Sequence, residues 1–203
     1  RADSRRRALT KAQGVCYKVY QGDWEFLPDF YSMTPVAEGM TDVPSLSVVP
    51  AGITDHFGIL FEGHIFRSST QNEDTHRFRT CSDEGSKFYF DRYYNPNNNG
   101  GNSTVNNDGV HTDQCVEAQS TQNLAPSTGY PFALVYFDKT GTQSLALNWR
   151  VENNGNNSAW TAPIATNYTQ NTSGSHPAGP AAIPANLQAT AFNYKQLNLS
   201  WGD

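Results

Sequence analysis

From residue 143 to residue 151 apolar and polar side chains alternate without a break. Leu145, Leu147, Trp149 and Val151 fall on one side, and Ser144, Ala146, Asn148 and Arg150 on the other. Successive side chains of an extended chain point to opposite faces, so this segment predicts a strand with one face buried and one face wet. Residues 130–137 are apolar on both faces, the pattern of a central strand covered on two sides. Further strands are predicted at residues 14–20, 56–61, 75–81 and 86–90. No long segment repeats apolar residues at helical spacing between caps. The pattern points to an all-β domain, a sandwich or barrel with long surface loops.

Composition changes along the chain. Residues 95–108 are dominated by Asn and Gly, which is poor material for a core strand, and predict a surface loop. From about residue 153 to 182 the chain turns to Asn, Ser, Thr, Pro and Gly, as expected for an edge element followed by a linker. Residues 1–13, with the basic run Arg5-Arg6-Arg7, precede any patterned segment and are expected to be a disordered extension. Residues 183–203 alternate again, ending in Leu197-Asn198-Leu199-Ser200-Trp201. That stretch resembles the first two strands of a fibronectin type III domain. Two such strands alone are marginal in water, so the chain reads as cut from a longer multidomain protein.

Several function classes are disfavoured. A net charge of −5 and a pI near 5.5 do not suit nucleic acid, which demands a clustered basic face. No apolar run is long enough to span a bilayer, so membrane insertion is not expected. There is no Gly-x-Ser-x-Gly elbow, phosphate-binding loop, dinucleotide fingerprint or His-Glu-x-x-His, and His56, His64, His76 and His111 are scattered singly. The chain is therefore expected to bind rather than catalyse. Cys16, Cys81 and Cys115 lack metal-ligand spacing. One disulfide and one spare thiol fit, and Cys81–Cys115 ranks first because it brackets the Asn-rich segment.

Ser82-Asp83-Glu84-Gly85-Ser86 sets two carboxylates side by side at a turn. Neighbouring carboxylates repel, and a hard divalent cation such as Ca²⁺ relieves the repulsion. On spacing alone a plain hairpin turn is favoured over a cation site. Asn106-Asn107-Asp108-Gly109 likewise reads as an ordinary Asp-Gly turn, and Trp24, Phe61 and Trp149 read as core aromatics.

The turn does not stand alone. Trp24-Glu25-Phe26-Leu27-Pro28-Asp29-Phe30 follows the first predicted strand, and Asp55-His56-Phe57-Gly58-Ile59-Leu60-Phe61-Glu62-Gly63 comes next. After the turn come Val105 to His111, then Tyr136-Phe137-Asp138-Lys139-Thr140-Gly141 running into Leu145-Ala146-Leu147-Asn148-Trp149. In this order and spacing, over residues 14–150, the set resembles a PA14 domain, a β-sandwich. In lectin-like members two consecutive aspartates joined by a cis peptide hold Ca²⁺, a second loop completes the site, and the sugar coordinates the ion. The resemblance implies that Asp83 and Glu84 hold the ion, with Glu84 one methylene longer than the usual aspartate. It implies a side-chain ligand at Asp138 and carbonyl ligands at Thr140 and Thr142, with Lys139 and Gln143 beside the sugar rim. That second loop lacks a stacking aromatic, for which Tyr93 and Tyr94 are the nearby substitutes. The function so implied is a calcium-dependent lectin or adhesin module of a secreted or cell-surface protein, monomeric as a fragment, whose partner is a glycan on a cell surface or matrix. The alternatives are a protein-interaction or spacer module that binds no sugar, and an accessory domain of a glycosidase.

Overall fold

The computed structural model describes residues 14–67, 74–96, 103–153, 156–169, 187–193 and 196–201. The basic N-terminal extension and most of the expected linker lie outside the described residues. In the first compact unit, which ends at Thr172, the chain runs through β1 (Val15–Gln21), β2 (Ala37–Thr41), β3 (Phe57–Ile65), β4 (Asp74–Asp83), β5 (Ser86–Phe90) and β6 (Val105–Asn107). It continues through β7 (Gln114–Glu117), β8 (Gln122–Leu124), β9 (Tyr130–Asp138), β10 (Ser144–Asn153), β11 (Asn156–Asn157) and β12 (Tyr168–Thr169). One antiparallel sheet has the order β2-β1-β3-β9-β5-β6, and β12 pairs with β3 beyond the point where β1 ends. The other has the order β11-β10-β4-β7, with β8 beside β4. Helical structure among the described residues is confined to short 3₁₀ turns, and no helix is long and apolar enough to cross a membrane. The all-β sandwich expected from the alternation is the fold observed.

Two apolar layers explain why β9 is apolar on both faces. Phe132, Leu134 and Tyr136 point between the sheets, where they meet Phe57, Ile59 and Phe61 of β3, Phe78 of β4, Phe88 of β5 and Leu147 of β10. The rings of Phe88 and Phe90 lie 4.9 and 5.1 Å from that of Phe78. Ala133 and Val135 point outward with Leu60, Tyr20 and Tyr89. The connection from β1 to β2 lies over this outer face, burying Phe30 with Trp24, Leu27 and Met33 packed around it. Phe61 is fully buried, and Trp149 and Trp24 pack at the margins of the inner and outer layers.

Edge strands are where alternation is uninformative. β2 and β7 are mostly exposed on both faces, so no period of two marks them. Residues 95–108 are not wholly loop: Val105–Asn107 pair with β5, with Val105 and Asn107 buried. A buried Asn is tolerable there because its amide is fully engaged, as described below. The stretch after residue 152, expected to open with an edge element, adds to both sheets: β11 pairs with β10. β12 pairs with β3, and Trp160 is clamped between the guanidinium groups of Arg79 and Arg150, each 4.4 Å from its ring. In the second compact unit, Ser173–Asp203, β13 (Leu187–Asn193) and β14 (Gln196–Trp201) form an antiparallel hairpin.

Cys81 and Cys115 sit directly opposite each other on β4 and β7 and are disulfide-bonded; Cys16 is free and exposed. The bridge closes a loop over a sequence separation of 34 residues. Replacing both cysteines by serine is expected to lower stability by about 2–4 kcal/mol. Urea unfolding measures this, and an unchanged midpoint would mean that the cross-link contributes nothing.

Candidate metal and ligand site

The turn between β4 and β5 is built from the inside outward. Ser82 and Ser86 flank it, both fully buried, with their hydroxyls 2.8 Å apart. The Asn107 amide donates to Ser82 Oγ at 3.0 Å and to the Gln114 carbonyl at 3.3 Å. Gln114 returns a hydrogen bond to Asn107 Oδ1 at 2.9 Å. These polar groups satisfy one another in the interior and hold the turn from below. At its tip a Cβ on Gly85 would lie 2.3 Å from the Phe137 ring and 3.0 Å from the Gly109 amide nitrogen, so nothing larger than glycine fits. The Asp83–Glu84 peptide bond is cis, as the resemblance implied.

Asp138 closes β9. The period of two that sends Phe132, Leu134 and Tyr136 inward sends Asp138 inward as well, and its side chain is fully buried. The Tyr136 hydroxyl donates to the Asp83 carbonyl at 2.6 Å and lies 3.5 Å from Asp138 Oδ1. Asp138 Oδ2 has no hydrogen-bond partner. Glu84 is buried too, and its carboxylate accepts the backbone N–H of Lys139. Burial first, then the charges of Glu84, Asp55 and Asp83, push the Asp138 carboxyl up to about 7, against the hydrogen bond from Tyr136.

Asp83, Glu84 and Asp138 are thus brought together from positions far apart in the chain. Thr140 and Thr142 are exposed in the loop between β9 and β10 that follows Asp138. Lys139 does not stand free beside them: its ammonium pairs with Glu25 and lies 3.6 Å from Asp23. Gln143 donates its amide to the Thr54 carbonyl. Both side chains brace one loop against another. Tyr93 and Tyr94 do not serve this site. Tyr94 is buried in the outer layer, and Tyr93 packs on His64, at the opposite end of β3 from Phe57, the partner of Asp138.

Two contributors escape sequence reasoning. Asp55 accepts the Gly141 N–H at 2.9 Å, which holds its carboxyl below the usual range and ties the loop before β3 to the loop after β9. Tyr136 links Asp83 to Asp138. Alternation along β9 places Tyr136 on the face of Asp138; no local signal marks Asp55.

The donor set is all oxygen, with burial and the neighbouring carboxylates raising the proton affinity of Asp138 and one of its buried oxygens unpartnered. That chemistry fits a hard divalent cation and not zinc. Among the described residues no three His, Cys, Asp or Glu side chains form a metal cluster by themselves. A cation here would have to draw main-chain oxygens into its shell, which Ca²⁺ chemistry permits.

With metal chelated, the Asp138 shift fixes a sign. Its folded-state pKa lies above that of an unfolded aspartate, about 3.9, so between pH 4 and 7 the folded chain holds a proton that the unfolded chain has lost. Stability is expected to fall as pH rises through that window, by at most about 1.4 kcal/mol per unit, and Asp138→Asn is expected to flatten the trend. Thermal melts in EDTA across this range compare the two proteins; identical pH profiles would contradict the shift.

No protein-family model and no curated protein matches this sequence. Solved structures do. The A domain of epithelial adhesin 6 from Candida glabrata, in complex with Galb1-3GlcNAc, superposes with a TM-score of 0.57 at 14% identity, over 81% of this chain and 89% of that one. A PA14 sugar-binding domain from an RTX adhesin does so at 0.54 and 15%, over 78% and 99%. The PA14 domain of the antifreeze protein MpAFP gives 0.52 and 13%, over 77% and 90%. At such identities the shared property is the path of the backbone. This chain has the fold of PA14 domains.

Proposed function

We propose that this chain is a carbohydrate-binding module of a secreted or cell-surface protein, and that it takes its glycan through Ca²⁺ held by Asp83, Glu84 and Asp138. The observation that carries this reading is the buried carboxylate of Asp138, with Oδ2 unpartnered, set against the cis Asp83–Glu84 pair. Carbonyl oxygens of Thr140 and Thr142, on the exposed loop alongside, complete the donor set. The ion, when bound, supplies coordination sites for vicinal sugar hydroxyls. The chain's own task is to keep the carboxylates desolvated and fixed. Tyr136, the network of Ser82, Ser86, Asn107 and Gln114, and the loop braces at Lys139, Gln143 and Asp55 perform it. The solved structures whose descriptions name a sugar-binding domain or a bound glycan support the same reading. The hairpin β13–β14 is read as the opening of a fibronectin type III-like domain in a multidomain chain, where weak single-site sugar binding gains from multivalency.

One observation favours a second reading, a spacer or protein-interaction module that binds no sugar. The Glu84 carboxylate already accepts the Lys139 N–H, which lowers its capacity for an ion. Calorimetric titration with Ca²⁺ separates the two. Binding is expected to release heat and to stabilise the fold by about 2.7 kcal/mol at a hundredfold excess over Kd, and Asp138→Asn is expected to abolish both effects. A glycan array is expected to show binding in Ca²⁺ that EDTA removes. The absence of both heat and a shift in melting temperature would support the spacer reading, and glycan binding that persists in EDTA would remove the ion from the mechanism.

A further inference from the structure

The loop between β9 and β10 carries no aromatic ring, and Tyr93 and Tyr94 are turned elsewhere. A sugar held only through its hydroxyls is poorly discriminated from water. Carbohydrate sites therefore also offer an apolar surface to the C–H face of the ring, most often an aromatic one. Phe26 is the most exposed large hydrophobic side chain among the described residues, at 67%.

Its place in the fold is specific. A Cβ on Gly109 would lie 3.5 Å from Phe26 Cε1, and a Cβ on Gly85 would lie 3.0 Å from the Gly109 nitrogen. The Phe26 ring thus borders Gly109, which in turn borders the residue that follows Glu84. Val110, next along the chain, is exposed at 47%.

Nor is Phe26 exposed because its segment is loose. Trp24 and Leu27 pack into the outer apolar layer, and Glu25 pairs with Lys139. The Leu27 N–H donates to Asp108 Oδ1 at 2.8 Å, and Asp108 is anchored in turn by Lys87 Nζ at 2.6 Å, with both side chains nearly buried. Trp24, Glu25 and Leu27 on either side are pinned, and the ring between them is left in water. Single exposed apolar side chains are ordinary on protein surfaces. This one lies beside Gly109, which borders the glycine that follows Asp83 and Glu84.

We propose that Phe26, with Val110 beside it, is the platform on which the apolar face of the bound sugar rests, and that it decides which sugars the site accepts. This rests on the carbohydrate reading above, and the test keeps the two apart. Phe26→Ala and Phe26→Trp are compared with the unaltered chain for Ca²⁺ affinity by calorimetry. Sugar binding is followed by NMR with galactose, glucose, mannose, fucose and Galb1-3GlcNAc in saturating Ca²⁺. Phe26→Ala is expected to leave Ca²⁺ affinity and melting temperature unchanged and to weaken sugar binding tenfold or more. It is also expected to remove the upfield ring-current shift of the sugar C–H protons, which Phe26→Trp restores. If the unaltered chain binds a sugar and Phe26→Ala binds it equally well, the platform is wrong and the carbohydrate reading stands. If the unaltered chain binds Ca²⁺ but none of these sugars, both fall.

Discussion

The double burial of β9 is the constraint on which the rest depends. It lies between β3 and β5 in its sheet, with an aromatic layer against each face. A strand packed on both sides cannot slip by one residue without exchanging Phe132, Leu134 and Tyr136 for the smaller Ala133 and Val135 in the inter-sheet core. That register carries through to the last residue of the strand. The force that buries the phenylalanines also buries Asp138, and an isolated carboxylate in that position is costly unless a proton or a cation accompanies it.

Around Asp138 the end of the sandwich is tied together by contacts distant in sequence. Lys139 reaches Glu25, Gln143 reaches the Thr54 carbonyl, Gly141 donates to Asp55, and the His56 N–H donates to the Lys139 carbonyl at 3.2 Å. Loops on a rigid scaffold are where binding surfaces are usually built. Here they also brace one another across the end of the sandwich. The buried network of Ser82, Ser86, Asn107 and Gln114 does the same from beneath the Asp83–Glu84 turn. Lys139 and Gln143 shape the site by positioning loops.

How much could be read in advance varied with the element. Central strands follow from alternation because burial imposes a pattern on their residues, and the predicted segments correspond to β1, β3, β4, β5, β9 and β10 within a few residues. Edge strands carry no such pattern. β6 in particular hid inside an Asn-rich run, because its pairing with β5 uses backbone groups and its one buried amide is satisfied by partners from β4 and β7. Asp83, Glu84 and Asp138 were legible as a set only through resemblance to a family. Nothing local to Asp55 or Phe26 announces a role, since their positions depend on which loops the topology brings to one end.

The sequence by itself determined an all-β fold and the inward face of each central strand, hence a carboxylate at the end of β9, because side-chain alternation and apolar burial act locally. It also determined the turn that carries Asp83 and Glu84, through the glycine that follows them. Only the tertiary structure decided the company those carboxylates keep. Asp55 and Tyr136 join them, Lys139 and Gln143 are taken up as braces, Tyr94 is buried, and Phe26 is left exposed beside the turn. These are relations between segments remote in sequence. They are set by sheet order and loop packing, which no single segment encodes.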